Sequence, residues 1–287
     1  MAEAEPTMRD LPALREAMAA QGRIRPAAEV VVESHQADAV PLRIYRPIGA
    51  AVADRPLLVF LHGGGWVLGD LDTHDACCRQ LCVAADCAIL AVGYRLAPEH
   101  PFPAALDDVM TAWRWTRAQA KVLGFDPRCV AIGGESAGAN LAAAVTFVLR
   151  DGGADQPLFQ FLVHPPTDLR LEQPSIDTVP GMSRSFLGEC VAAYAGRASL
   201  DDPRLSPLRA TDHAGLAPAV VITVANDPLR DDGEHYALAL ARAGCDVGVQ
   251  RLPDLPHGFM FLPATLPEIA ASFHLLGDRI ARYFQTL

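Results

Sequence analysis

Three polar side chains, a serine, an aspartate and a histidine, stand where they could perform nucleophilic chemistry together. Ser136 lies between glycines, and Asp227 and His257 each follow a short apolar run. A serine hydroxyl is a poor nucleophile at neutral pH. It needs a histidine to accept its proton and a carboxylate to hold the resulting imidazolium. The pattern therefore predicts a catalytic triad of these three residues, in the chain order Ser, Asp, His.

The turn that carries Ser136 is predicted to join a buried strand to a helix. Gly134 and Gly138 stand two positions before and after the serine. Small residues at these positions keep a crossing strand and helix from clashing when the serine occupies a sharp turn. The pattern alone is equally typical of an ordinary glycine-rich loop. The hypothesis that Ser136 is a nucleophile therefore depends on the residues at the other strand ends.

Two further acids compete with Asp227 for the third place in the triad. Asp231 and Asp232 follow it by about one helical turn. Acidic residues at that point are typical of the beginning of a helix, whereas Asp227 stands directly at the predicted strand end. Asp227 is therefore the preferred carboxylate.

A glycine-rich segment, His62-Gly63-Gly64-Gly65-Trp66, follows another apolar run. Glycines could let backbone N–H groups approach a developing negative oxygen, and the N–H of Ala137 at a helix start would complete the same anion site. The alternative is a turn that merely bends the chain.

Short apolar runs alternate with helix-length segments, which is typical of a mostly parallel sheet covered by helices on both faces. The first two runs, within 28–34 and 41–45, have the alternating pattern of an antiparallel hairpin at a sheet edge. We expect about eight strands and a single α/β domain over 1–287, with a small helical cap formed by about 1–25 and 165–210. The later predicted strands are 57–61, 88–92, 129–133, 159–163, 220–224 and 247–252, and the predicted helices are 9–21, 72–85, 104–124, 137–150, 186–195, 233–244 and 266–284.

Composition excludes several classes of partner. The 287 residues carry a formal net charge of −10, which argues against nucleic acid or an anionic membrane surface. No apolar stretch is long enough for stable membrane insertion, and the N-terminus fits no secretory signal. The seven cysteines have no metal-ligand spacing, so we expect free thiols, no metal and a cytoplasmic protein.

Four segments together resemble the hormone-sensitive lipase-like family (family IV) of bacterial carboxylesterases, which has the α/β-hydrolase fold. The resemblance implies that Ser136 is the nucleophile, that Asp227 and His257 complete the triad, and that the N–H groups of Gly63, Gly64 and Ala137 form the oxyanion hole. It implies hydrolysis of a small-molecule ester without a cofactor, for which we expect short acyl chains, and a homodimer. The segments are 62–70, 94–104, 134–138, and 227–231 followed by 257–259.

Two departures from the family leave specificity open. Glu135 and Ala139 stand where the family usually has Asp and Gly, and the N-terminal part is short. An amide substrate, as in arylformamidases, and a non-catalytic small-molecule receptor remain alternatives on the same fold. Candidate substrate-binding residues are Trp66, Phe186 and Phe259, with Phe102, Met182 and Met260 as further apolar candidates near strand ends.

Overall fold

An eight-stranded sheet forms the centre of the protein, as expected. The computed structural model describes residues 7–23, 28–49 and 54–285. The strand order is β1-β2-β4-β3-β5-β6-β7-β8; β1 and β2 run antiparallel to their neighbours, and the others are parallel. The strands are β1 Val30–Ala37, β2 Val40–Pro47, β3 Arg55–Leu61, β4 Ala88–Val92, β5 Phe125–Glu135, β6 Gln160–Val163, β7 Ala219–Asn226 and β8 Val247–Pro256.

Helices cover both faces of this sheet. The apolar layer on one face includes α3, α4 and α7, and the layer on the other face includes α2 and α8. Every residue of β4 and β6 is buried, which explains why these strands appear as continuous apolar runs. The helices are α1 Leu11–Arg23, α2 Asp75–Ala84, α3 Ala104–Gln119, α4 Ala137–Asp151, α5 Ser175–Thr178, α6 Arg184–Ala195, α7 Arg230–Arg242 and α8 Pro267–Phe284.

The largest boundary difference from the sequence expectation lies before the central strand β5. The helix predicted to run to Gly124 ends at Gln119, and β5 begins at Phe125 rather than at Cys129. The backbone of Phe125 pairs with Arg55 at the start of β3, with a register shift before Leu57. This early pairing extends the strand beyond its apolar core.

An arginine in α1 forms hydrogen bonds with the loops that follow β3 and β4. Arg15 donates from Nε to the Val67 carbonyl at 2.9 Å and from Nη2 to the Ala97 carbonyl at 3.0 Å. It also pairs with Glu99 at 2.7 Å. The helix therefore lies beside the glycine-rich segment after β3. Of the predicted cap, residues 1–6 and 24–25 lie outside the described residues.

Helices α2 and α8 approach each other closely at a glycine. A Cβ on Gly277 would overlap the carbonyl oxygen of Ala84, whereas a Cβ on Gly188 in α6 would meet no atom within 4 Å. Both glycines lie inside helices, where alanine is intrinsically favoured by about 1 kcal/mol. Alanine substitutions at Gly277 and Gly188 therefore distinguish the effect of helix propensity on stability from the effect of helix packing.

We expect Gly277→Ala to lower the free energy of unfolding by about 1–3 kcal/mol, because α2 and α8 must move apart. Gly188→Ala should leave it unchanged or raise it slightly. Urea unfolding followed by circular dichroism measures both variants. Equal stability of the two variants would show that the close approach of α8 to α2 is wrong.

Candidate active site

The structure brings the three predicted catalytic side chains into one hydrogen-bonded chain. The Oγ of Ser136 lies 2.9 Å from Nε2 of His257, and Nδ1 of His257 lies 2.9 Å from Oδ2 of Asp227. The other oxygen of Asp227 accepts the Leu229 N–H at 2.8 Å. With the imidazole proton on Nδ1, Nε2 is free to accept the serine proton.

Local backbone geometry explains the residues around Ser136. Ser136 joins β5 to α4 with φ +52° and ψ −122°, a backbone conformation that residues other than glycine rarely adopt. A Cβ on Gly134 would lie 2.6 Å from the Leu61 carbonyl oxygen, and one on Gly138 would overlap that same oxygen. Both flanking glycines are therefore required by the crossing of β5 and α4 beside β3.

The competing acids Asp231 and Asp232 face other partners. Asp231 accepts the Ser175 N–H at 2.9 Å, and Asp232 accepts the Thr167 N–H at 3.0 Å. Both carboxylates thus connect α7 to the segment after β6. The preference for Asp227 agrees with this geometry.

Burial and charge act in opposite directions on the acid and the base. Burial would raise the pKa of Asp227, but the charge and hydrogen bond of His257 outweigh it and lower that pKa. Burial would lower the pKa of His257, but the charge and hydrogen bond of Asp227, with the charge of Glu135, outweigh it and raise that pKa. Asp227 is therefore held ionised, and His257 is a stronger base than an ordinary histidine.

Backbone N–H groups near Ser136 differ from the expected set at one position. Gly64, Gly65 and Ala137 line the cavity in front of the serine. The N–H of Gly63 is instead directed at Nε2 of His74, at 3.2 Å, and Gly63 is not part of the cavity wall. The expectation for Gly63 is thus corrected: its N–H faces the His74 ring rather than the cavity, and the part of the loop that lines the cavity begins at Gly64, whose φ is +114°.

A mainly apolar cavity of about 200 Å³ lies over Ser136. Trp66 and Phe186, two of the predicted substrate-binding residues, line it, and the indole of Trp66 stacks on the Tyr194 ring with centroids 4.7 Å apart. Helix α1 contributes one wall and α6 another. Other apolar wall residues are Met18, Leu169, Met182, Leu187, Val191 and Phe261.

The expectation for Phe259 is not met. Phe259 is fully buried, and its ring edge packs on His164 with centroids 5.9 Å apart, beneath the site. A short 3₁₀ turn follows Gly258, whose φ is +74°, and places Phe261 rather than Phe259 in the cavity wall. Of the other apolar candidates, Met182 lines the cavity, whereas Phe102 and Met260 do not.

One histidine at this edge of the sheet, His164, is not among the residues that the sequence predicts for the site. His164 directly follows β6, and its ring lies beside that of His257 with centroids 4.1 Å apart. The same strand-end rule that singled out Asp227 and His257 could have found it. Glu135, noted only as a departure, also lines the cavity.

One group of side chains within the described part of the chain has the spacing of metal ligands. Ligand atoms of His164, Asp227 and His257 all lie within 4.8 Å of one another. Asp227 and His257 already use these atoms for each other and for Ser136. The triad arrangement itself accounts for the grouping, and the expectation of a metal-free site stays a prediction.

Comparison with known proteins places this geometry in a family. A sequence model described as "alpha/beta hydrolase fold" matches residues 58–261. Carboxylic ester hydrolase LipN of Mycobacterium tuberculosis is 45% identical over 78% of this chain and 61% of its own length. Ethyl acetate hydrolase of Pseudomonas putida is 38% identical over 80% of this chain and 74% of its own.

A solved structure agrees with these relatives. The hyperthermophilic esterase from Pyrobaculum calidifontis superposes with a TM-score of 0.88 at 32% identity, covering 95% of this chain and 93% of its own. The likeness thus includes the sheet, the triad turn and the glycine-rich segment. The chain belongs to the hormone-sensitive lipase-like family of the α/β-hydrolase fold.

Proposed function

We propose that this protein is a serine carboxylesterase that hydrolyses small carboxylic esters through an acyl-enzyme. The observation that carries the proposal is the chain of two 2.9 Å contacts from Ser136 through His257 to Asp227, at the floor of an apolar cavity. The names of LipN and of the ethyl acetate hydrolase support an ester as the substrate. An intact triad argues against a receptor that only binds.

The geometry supports a specific sequence of steps. His257 takes the Ser136 proton through Nε2 as Oγ attacks the ester carbon, and Asp227 stabilises the imidazolium. The tetrahedral oxyanion is held by the N–H groups of Gly64 and Ala137, with Gly65 in place of Gly63 as the third donor. His257 then protonates the leaving alcohol, and water repeats the cycle on the acyl-enzyme.

The cavity wall favours neutral acyl groups of modest size. No Lys or Arg of the described residues lines it, and Glu135 adds negative charge, so a carboxylate-bearing acyl chain would be repelled. Pockets that take drug-sized ligands usually span about 300–1,000 Å³, which is larger than the 200 Å³ here.

We also propose that α1 and 165–210 together act as the cap of a single domain.

Among the described residues, no helix is both long and apolar enough to span a bilayer. The cytoplasmic location remains our proposal, supported by seven free cysteines, which are typical of a reducing compartment. Fractionation of the source cells tests it, and activity confined to a secreted fraction would overturn it.

Replacement of the nucleophile is the direct test of the proposed function. We expect Ser136→Ala to keep the fold and to lose turnover of p-nitrophenyl butyrate by roughly 10⁴–10⁶-fold, because attack on the ester carbon requires Oγ. Ser272→Ala is the matched control, since the Ser272 hydroxyl in α8 donates to the Glu268 carbonyl and Ser272 is not part of the cavity wall. Substantial turnover by Ser136→Ala would refute the assignment.

A series of acyl lengths tests the cavity and its cap. We expect kcat/KM to be highest for acetyl and butyryl esters and to fall for the dodecanoyl ester. Met18→Ala should move the optimum to longer chains, because Met18 of α1 lines the cavity. Met8→Ala is the control, since Met8 is half-buried on the same segment and is not part of the wall.

If the two methionine variants show identical chain-length profiles, α1 does not limit the acyl group. The same series with matched p-nitroanilides compares ester with amide turnover, and faster amide turnover would favour the arylformamidase alternative.

A homodimer is a further proposal. Strand β8 is the last strand in the sheet order and exposes Val249, so its edge is open to pairing with a second copy. We expect light scattering to give twice the mass of 30.7 kDa. A monomer at all accessible concentrations would contradict the proposal.

A further inference from the structure

A second carboxylate is buried directly behind the nucleophile. Glu135 is the last residue of β5 and is 1% exposed. Its Oε1 lies 3.1 Å from Nε2 of His74, and its Oε2 lies 3.4 Å from Nε2 of His164. A Cβ on Gly63 would overlap Oε1, so the carboxylate packs against the backbone of the glycine-rich loop. This side chain thus contacts two loops at the site, the one that joins β3 to α2 and the one that follows β6.

His164 lies between Glu135 and the catalytic base. It is fully buried and has φ +39°, a strained value for a residue with a β-carbon. Neither of its ring nitrogens makes a hydrogen bond to a described residue, although its ring lies beside that of His257. A buried polar group that lacks a hydrogen bond and has a strained backbone is costly, and such groups concentrate at functional sites.

The charged and titratable groups around these residues come from several elements. His257 is faced by Asp227 after β7, Glu135 at the end of β5 and His164 after β6. In the described part of the chain, five titratable side chains face Glu135. They are His74 at the start of α2, His62 after β3, Tyr94 after β4, His164 and His257. Among the described residues, neither set includes a Lys or Arg.

The directions of the pKa shifts support a simple charge state. Burial would raise the pKa of Glu135, but the His74 hydrogen bond and the charges of His164, His74 and His257 outweigh it and lower that pKa to about 2. Burial, with the charge of His257, lowers the pKa of His164 to about 4. At neutral pH Glu135 is ionised and His164 is neutral.

We propose that Glu135 is a positioning residue for acyl transfer, whose ionised carboxylate, seated between His74 and His164, stabilises the imidazolium form of His257 together with Asp227. The inference rests on the proposed triad and adds a second negative charge to it. In a buried site the interaction of two charges is much stronger than in water. The charge of Glu135 therefore favours the transition state, in which His257 carries the serine proton.

The sign of the pH effect follows from the base. His257 must be neutral to accept the serine proton, so kcat/KM falls as the pH drops below the raised pKa of His257. Removal of the Glu135 charge lowers that pKa, which moves the acid limb of the profile to lower pH.

The experiment compares pH profiles of kcat/KM for p-nitrophenyl butyrate. We expect Glu135→Gln to move the acid limb down by about one pH unit and to reduce kcat on the alkaline plateau about tenfold, since one unit corresponds to a tenfold change. Glu135→Asp keeps the charge and should keep the limb within about half a unit of the parent. Glu234→Gln is the matched control, because Glu234 of α7 pairs with Arg251 of β8 at 2.6 Å and is not part of the cavity wall.

Each result separates this inference from the triad itself. An unmoved acid limb in a folded Glu135→Gln variant, with Ser136→Ala inactive, overturns the role of Glu135 and leaves the triad intact. If Glu135→Gln does not fold, Glu135→Asp decides: a displaced limb despite the retained charge overturns the proposal, and a parental limb supports it. Turnover by Ser136→Ala would instead refute the proposed function.

Discussion

The backbone at Ser136 is held at a φ of +52°, a conformation that a serine adopts only under constraint. The constraint comes from both sides. The Ser136 N–H donates to the Val163 carbonyl of β6 at 2.9 Å, and Gly138 of α4 lies against Leu61 at the end of β3. Three parallel strands and one helix therefore meet at a single peptide unit. Strain of this kind persists only where the surrounding structure over-determines it.

The burial of charge at this point depends on the same scaffold. Asp227 is 0% exposed and Glu135 is 1% exposed, and an unpaired carboxylate so deeply buried would be very costly. Asp227 accepts the Leu229 N–H at 2.8 Å and lies 2.9 Å from Nδ1 of His257. Glu135 lies 3.1 Å from Nε2 of His74 and 3.4 Å from Nε2 of His164. His164 and Asp227 follow β6 and β7, whose residues are almost all buried, so the packed sheet holds these two groups in place.

Strand ends were predictable from the sequence, whereas the direction of a group within a loop was not. Ser136, Asp227 and His257 each follow an apolar run, and in a parallel sheet such positions share one edge. The errors at Gly63 and Phe259 both arise beside glycines with positive φ, Gly64 and Gly258. A positive φ changes the direction of the chain locally, and nothing in the local apolar pattern specifies where that change occurs.

The position of Glu135 links the two halves of the site. Because Glu135 and Ser136 share a peptide unit, the turn that orients the nucleophile also fixes the carboxylate. That carboxylate packs on Gly63 of the glycine-rich loop and lies 3.1 Å from Nε2 of His74. One side chain therefore contacts the glycine-rich loop and also contributes to the electrostatic environment of His257. Glu135→Asp keeps the negative charge but shortens the side chain, so it probes the packing against the glycine-rich loop. Glu135→Gln keeps the length but removes the charge, so it probes the electrostatic effect on His257.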